Sequence, residues 1–366
     1  MSSESQSTAN MGLEDVSRST RWKKKRANEK LAAILAVGVV GIIILYIYSL
    51  TLGAYHISFQ DSAKDIWNII TNLGPDENVM DEKVIFYLRM PRSLMALCVG
   101  AGLAVAGAVM QALIRNPLVD PYLTGVSSGA SFMVVLVTLG GFNLGMAATA
   151  AVPLAAIIGA IVAFGATMFI AEVAGGRTMN YVLAGVIIST GLSSAITLVT
   201  YFNVDNYESV TKWLFGSFMD QGWENTLVVI MGTVIPMIVA FCFSKKLNIM
   251  LLGEEQAQYL GIDVKVLKRM MLVLIAILTA FCVAYCGVIG FVGLIVPHVC
   301  RMILGGDHRL LIPASAVVGA LVMLIADIFC KTIIEPSELP IGAVVAVIGV
   351  PFFLFLMVKE GKRYAM

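Results

Sequence analysis

Twenty consecutive residues without a charge, Leu31–Leu50, constrain this chain more than any other feature. As a helix such a run is about 30 Å long, the thickness of a bilayer's hydrocarbon layer. Comparable apolar runs follow at 90–114, 122–140, 146–171, 180–201, 226–243, 270–289, 291–304, 311–333 and 340–358. Backbone polar groups in lipid must be satisfied within their own segment, so ten such runs predict an all-α polytopic membrane protein of about ten transmembrane helices. Composition agrees, with 58% hydrophobic and only 13% charged residues.

The net charge of +1 identifies no partner, and no nucleic-acid partner is expected, but the distribution of Lys and Arg carries topology. With the N-terminus inside, nineteen of the 25 Lys and Arg residues fall on the cytoplasmic side. They are the N-terminal cluster together with Arg115, Arg177, Lys245, Lys246, Lys265, Lys268, Arg269, Arg301, Arg309, Lys359, Lys362 and Arg363. Lys64, Lys83, Arg89, Arg92, Lys212 and Lys331 remain outside. The expectation is a multi-pass protein of the cytoplasmic (inner) membrane with both termini cytoplasmic. Residues 1–30 form a polar, basic tail read as disordered, residues 31–360 the transmembrane domain, and residues 361–366 a second cytoplasmic tail. No small-residue cleavage site follows the first run, so it reads as a span rather than a signal peptide. The six cysteines lack CxxC spacing and only three histidines are present, so the cysteines read as small buried residues and no metal site is expected.

Gly100, Ala104, Ala108 and Ala112 recur every four residues in the second span, placing small side chains on one stripe where another backbone can come close. The fourth span repeats the device with Ala155, Gly159, Ala163, Thr167 and Ala171. Asn116-Pro117 stops the second helix and Asp120-Pro121 starts the next, which makes a polar hairpin at one membrane face. In the fifth span Ser189, Ser193 and Thr197 share a face, with Thr190, Ser194 and Thr200 beside them. Such hydroxyls bond back to their own helix, bridge to neighbours, or line a polar passage, and a transporter needs the passage.

Connecting segments carry further signals. Ile66, Trp67, Ile69 and Ile70 suggest an interfacial helix within 51–83, and a second short one is expected around Lys212–Phe218. In the loop at about 245–269, Gly253 and Gly261 bracket Glu254–Leu260, a helix of about two turns that is unstable alone in water and therefore packs against something. Gly287, Gly290, Gly293 and Pro297 permit a tight reversal before His298. Asp327 is the carboxylate inside the ninth span, and Lys331, four residues on, is placed to pair with it.

Gly125-Val126-Ser127-Ser128-Gly129 matches the GxSxG string of an intramembrane serine hydrolase, but that elbow follows a strand and needs a histidine base. A proline turn precedes this string, and the topology places His56 outside with His298 and His308 near the inner face. An ion-coupled secondary transporter would need a midplane ion site, for which Asp327 is the candidate.

The motifs Arg89-Met90-Pro91-Arg92, Gly107-Ala108-Val109-Met110-Gln111, Asn116-Pro117-Leu118, Gly125-Val126-Ser127, Leu183-Ala184-Gly185-Val186, Leu260-Gly261, Gly290-Phe291-Val292-Gly293-Leu294, Pro297-His298, Asp307-His308-Arg309, Ala326-Asp327 and Glu338-Leu339-Pro340-Ile341-Gly342 resemble one family across about residues 31–360. They are similar to the permease subunits of binding-protein-dependent ABC importers for ferric siderophores, haem and cobalamin. The resemblance implies a homodimer of ten-span permeases enclosing one pathway for a metal chelate, two ATPase subunits below and a periplasmic or lipid-anchored substrate-binding protein above. By position, it makes Arg89, Arg92 and Lys331 outer cations that meet the binding protein, and Asn116 and Leu118 an inner gate. Gly253, Glu254, Glu255, Ala257, Leu260 and Gly261 then belong to a coupling helix that docks on the ATPase. The chain has no GxxxxGK[ST] loop, since Gly361-Lys362 is followed by Arg363, so the expectation is no enzyme and no bound cofactor, with ATP used by partner subunits.

Overall fold

A computed structural model describes residues 3–364 apart from 54, 56, 73, 140–147, 204–206 and 335–336. His56, one of the histidines weighed above, lies outside the described residues. Helix α1 runs Ser3–Thr51, so the stretch expected to be disordered continues the first span as helix, and Lys25–Thr51 is the part apolar enough to cross a membrane. Helix α2 (Phe59–Thr71) is capped by Ser58 Oγ, which accepts from the Asp61 amide, and lies with Ile69 buried and Trp67 exposed. The bundle thus has a near face, where Lys25 begins the first span, and a far face, where Thr51 ends it.

A short α3 (Met80–Lys83) passes through a π-helical turn, Val84–Arg89, into α4 (Met90–Ile114), giving one apolar helix from Met80 to Ile114. Pro91 has no amide to donate to the preceding turn, and the wider turn just before it absorbs the mismatch without breaking the helix. Arg115 then adopts a left-handed conformation at φ 55° and ends α4. Asn116 Oδ1 accepts from the Leu118 amide at 2.9 Å, and Asp120 caps a 3-10 turn, Pro121–Thr124, that feeds α5 (Val126–Leu139). The hairpin therefore forms as its prolines imply.

The remaining elements are α6 (Ala148–Val173), α7 (Thr178–Tyr201), α8 (Tyr207–Leu214), α9 (Trp223–Cys242), α10 (Ser244–Met250), α11 (Glu254–Tyr259), α12 (Val264–Cys286), α13 (Val292–Leu304), α14 (His308–Thr332) and α15 (Ile341–Tyr364). Among the described residues seven helices are long and apolar enough to cross a bilayer, and three shorter apolar ones, Val126–Leu139, Val292–Leu304 and Ile341–Phe355, complete the ten. A helix of 13 or 14 residues rises only about 20 Å, so α5 and α13 are shorter than a full crossing, and their bounds lie close to the expected runs 122–140 and 291–304. The expected interfacial helix around Lys212–Phe218 lies earlier, as α8.

Helix α4 is the axis of the bundle, packed chiefly against α14 and also against α9, α12 and α13. Its small residues explain why: a Cβ on Gly100 would strike the Gly319 carbonyl of α14, and one on Gly107 the Gly293 carbonyl of α13. Gly129 of α5 and Gly159 of α6 oppose each other in the same way. Lipid supplies no hydrophobic drive for helices to associate, so this close approach of backbones is the main source of packing energy. Three non-helical stretches meet between the helices on the far side. The Ser217 amide donates to the Cys286 carbonyl at 2.9 Å, and the Ile341 and Gly342 amides donate to the carbonyls of Gly216 and Phe215 at 3.1 and 3.0 Å. Irregular backbone in a membrane protein survives only when satisfied in this way.

Candidate transport pathway and coupling site

Three of the far-face cations, Arg89, Arg92 and Lys331, are enclosed within the chain. Arg92 donates from Nε and Nη2 to Asp327 Oδ1 at 3.0 and 2.8 Å and from Nη1 to Glu338 Oε1 at 2.6 Å. Asp327 is buried, and the Arg92 side chain keeps 14% of its surface exposed. Lys331 donates to Ser49 O and Oγ at 2.9 and 2.7 Å and stands 3.9 Å from Asp327 Oδ2, so Asp327 is held mainly by Arg92 and only weakly by Lys331. Arg89 donates to the Leu50 and Tyr55 carbonyls. Helix α1 ends here with carbonyls that have no intrahelical donor, and Arg89 and Lys331 supply them.

Glu338 also walls a cavity of about 970 Å³ on this side, bounded by α8, the turn at 215–221, the end of α12 and the segment before α15. Its lining mixes Lys212, Asp220, Gln221 and Tyr285 with aromatic and aliphatic groups.

Helix α7 is the least enclosed of the spans other than α1, with 11% of its apolar window buried. Thr190, Ser193, Ser194 and Thr197 are exposed, together with Gly191, in the middle of the helix. The Thr190, Ser194, Thr197 and Thr200 hydroxyls donate to carbonyls four residues back, at 2.9 to 3.0 Å, whereas Ser189 Oγ is buried without a partner. Back-bonding thus satisfies these hydroxyls without hiding them, since each oxygen can still accept a hydrogen bond. The turn leading away from the Asn116–Leu118 hairpin runs against this helix, Gly185 lying on the Leu123 carbonyl, while Leu118 itself is exposed at the near face.

The near-face loop is built on two glycines with left-handed or extended positive φ, Gly253 at 121° and Gly261 at 81°, which bracket α11. Leu252, Tyr259 and Leu260 are exposed, Tyr259 at 91%, and Glu255 is exposed beside them. Ala257, expected on the docking surface, is instead fully buried, because one side of so short a helix must pack to be stable. Glu254 Oε1 accepts from Thr178 Oγ1 at 2.9 Å and Lys268 Nζ at 3.1 Å, with Arg115 Nη2 at 3.8 Å. Partial burial alone would raise its carboxyl pKa, but the Thr178 and Lys268 hydrogen bonds and the cationic charges outweigh it and hold the pKa below the usual range.

The FecCD transport family model matches residues 41–359. The chain belongs to the FecCD transport family. Among the permeases of this kind, the hemin transport system permease HmuU of Yersinia pestis is 36% identical over 325 residues, covering 88% of this chain and 94% of its own. The iron(3+)-hydroxamate import permease FhuG of Bacillus subtilis is 32% identical over 342 residues, 92% and 99% of the two chains. A solved structure presented as an inward-facing conformation of a metal-chelate type ABC transporter superposes with TM-score 0.78 at 32% identity, over 90% of this chain and 99% of that one. This FecCD member is accordingly a multi-pass membrane permease of an ABC importer and not the ATPase itself.

Two alternatives lose their footing in this FecCD permease. Ser127 sits in the first turn of α5 after a 3-10 turn, with no strand before it. His308 Nδ1 is bonded to Asn248 and His298 packs against Phe353, and without the strand the nucleophile elbow that the string would need is missing. Asp327, the carboxylate considered for ion coupling, is neutralised by Arg92. The outer-docking role of Arg89, Arg92 and Lys331 also does not match their placement, because all three are engaged inside the chain. Sequence reading missed the part of Glu338, whose signal was an acidic residue two positions before the proline that leads into α15. It also missed Thr178, for which there was no signal.

Proposed function

We propose that this permease carries a metal chelate, such as haem or a ferric siderophore, into the cell as one of two copies that enclose a common pathway. Two ATPase subunits bind the near face, which is cytoplasmic by its excess of Lys and Arg, and a substrate-binding protein delivers cargo to the far face. The observation that carries this reading is α7. A membrane helix that turns exposed glycine and hydroxyls outward at mid-span is poorly matched to lipid and well matched to a wet interface with a second copy. The far-face cavity supports it as an entrance of suitable size. The names of the relatives support the chelate class, since HmuU is a hemin and FhuG an iron(3+)-hydroxamate permease.

Tyr259 and Leu260 form the exposed apolar tip of α11 and serve as the ATPase contact, with Glu255 at its edge. Binding-protein docking then belongs to exposed far-face groups rather than to the enclosed Arg89, Arg92 and Lys331. The test is uptake of radioiron, as haem and as a ferric hydroxamate, into vesicles holding the permease, its ATPase and its binding protein. ATP-dependent uptake of at least one is expected, and Tyr259→Arg should release the ATPase and abolish it. Uptake that needs no ATPase, or that Tyr259→Arg leaves intact, refutes the proposal.

A further inference from the structure

We infer that Glu254 is a positioning residue that transmits motion of the docking helix to the pathway helix α7, and that it does not itself contact the ATPase. This rests on α11 being the docking helix. Glu254 and Glu255 are neighbours in sequence but not in role. Glu255 is exposed, whereas Glu254 turns back into the bundle toward Thr178, Lys268 and Arg115. Those three residues begin α7, lie in the first turns of α12, and end α4, so one carboxylate joins three helices to α11.

The polar grip on α7 is confined to its near end. Among the described residues its side-chain hydrogen bonds to other segments come from Thr178 to Glu254, Asn180 to the Ala174 carbonyl and Tyr181 to Glu172. Beyond that first turn the hydroxyls bond only to α7's own backbone. Along its body α7 meets α5 and α6 through side chains such as Ile196 and Val199, apolar contacts that permit sliding, so a displacement of α11 enters the helix through its polar near end. The link is stiff for two reasons. A hydrogen bond to an ionised carboxylate is among the stronger ones available, and the buried Ala257 prevents α11 from rolling in place. Lys268 reinforces it, since its ammonium also lies over the Tyr181 ring on α7, 5.9 Å from the centroid.

The experiment needs no identified cargo. A single cysteine replaces Ser194, which is exposed on α7, in a background lacking native cysteines, and the assembled permease–ATPase complex in nanodiscs is labelled with a maleimide, with and without vanadate-trapped nucleotide. In the parent, trapping should change the labelling rate. In Glu254→Gln, which keeps an acceptor oxygen but removes the charge, and in Thr178→Val, which removes only the hydroxyl, that change should be lost while the ATPase co-purifies at the parental ratio. The double variant should be no worse than either single one, as expected for two ends of one link. A nucleotide response that survives in both variants overturns the inference, as does loss of the ATPase from Glu254→Gln, which would make Glu254 a docking contact. A parent that shows no response, or holds no ATPase, overturns the assignment of α11 and this inference with it.

Discussion

Replacing Asp327 by alanine is the sharpest test of the far-face charge cluster. The substitution removes both hydrogen bonds from Arg92 Nε and Nη2, at 3.0 and 2.8 Å, and leaves the guanidinium held only through Nη1 by Glu338. Arg92 keeps 14% of its side-chain surface exposed, so water replaces little of what is lost. Removing one partner of a buried pair typically costs about 3–5 kcal/mol, and the surviving Glu338 bond places the expected loss toward the lower end of that range. Lys331 should be little affected, because its bonds go to Ser49. Replacing the pair together, as Arg92→Met with Asp327→Leu, should cost clearly less than Asp327→Ala alone, since the buried charges go together and the carboxylate that loses its partner, Glu338, is partly exposed to water. Unfolding by denaturing detergent titrated into mixed micelles measures these differences. Asp327→Ala within about 1 kcal/mol of the parent, or a double variant that is simply additive, would refute the internal-clamp reasoning.

Three further outcomes are expected. Gly107→Val should destabilise the bundle by about 1–3 kcal/mol or more, because its Cβ falls on the Gly293 carbonyl, whereas Gly165→Ala, with open space around it, should be near neutral in the same titration. Asp65, on the exterior α2, is held above the usual carboxylate range by burial and then by the charges of Asp81, Glu82 and Asp61, with Lys64 opposing. Its folded form therefore keeps its proton to higher pH than the unfolded chain, so stability is full below the ordinary value and falls as pH rises toward the raised one. Asp65→Asn should abolish that part of the pH dependence, measured as the parent-minus-variant difference in melting temperature. Finally, single cysteines at Asp76 and Glu255, both exposed, should react with an impermeant maleimide from opposite sides of the membrane, and same-side labelling would overturn the topology.

Much of this permease was legible from residues near one another in the chain. Apolar run length marks the spans because a helix needs only its own backbone in lipid. The prolines at 117 and 121 mark the hairpin, and the four-residue spacing of Gly100, Ala104, Ala108 and Ala112 marks the packing stripe. Caps such as Asp263, which accepts from the Val266 amide, are local chemistry as well. Tertiary structure alone decided which charges meet. Arg92 finds Asp327 and Glu338 across 235 and 246 residues, so the i,i+4 neighbour Lys331 was the natural but weaker choice of partner. Whether Ala257 faces in or out, and whether Glu254 faces the solvent or Thr178, depends on the rotation of a six-residue helix. A pattern so short has no period to read, and only the packing of α11 against the rest of the bundle sets that rotation.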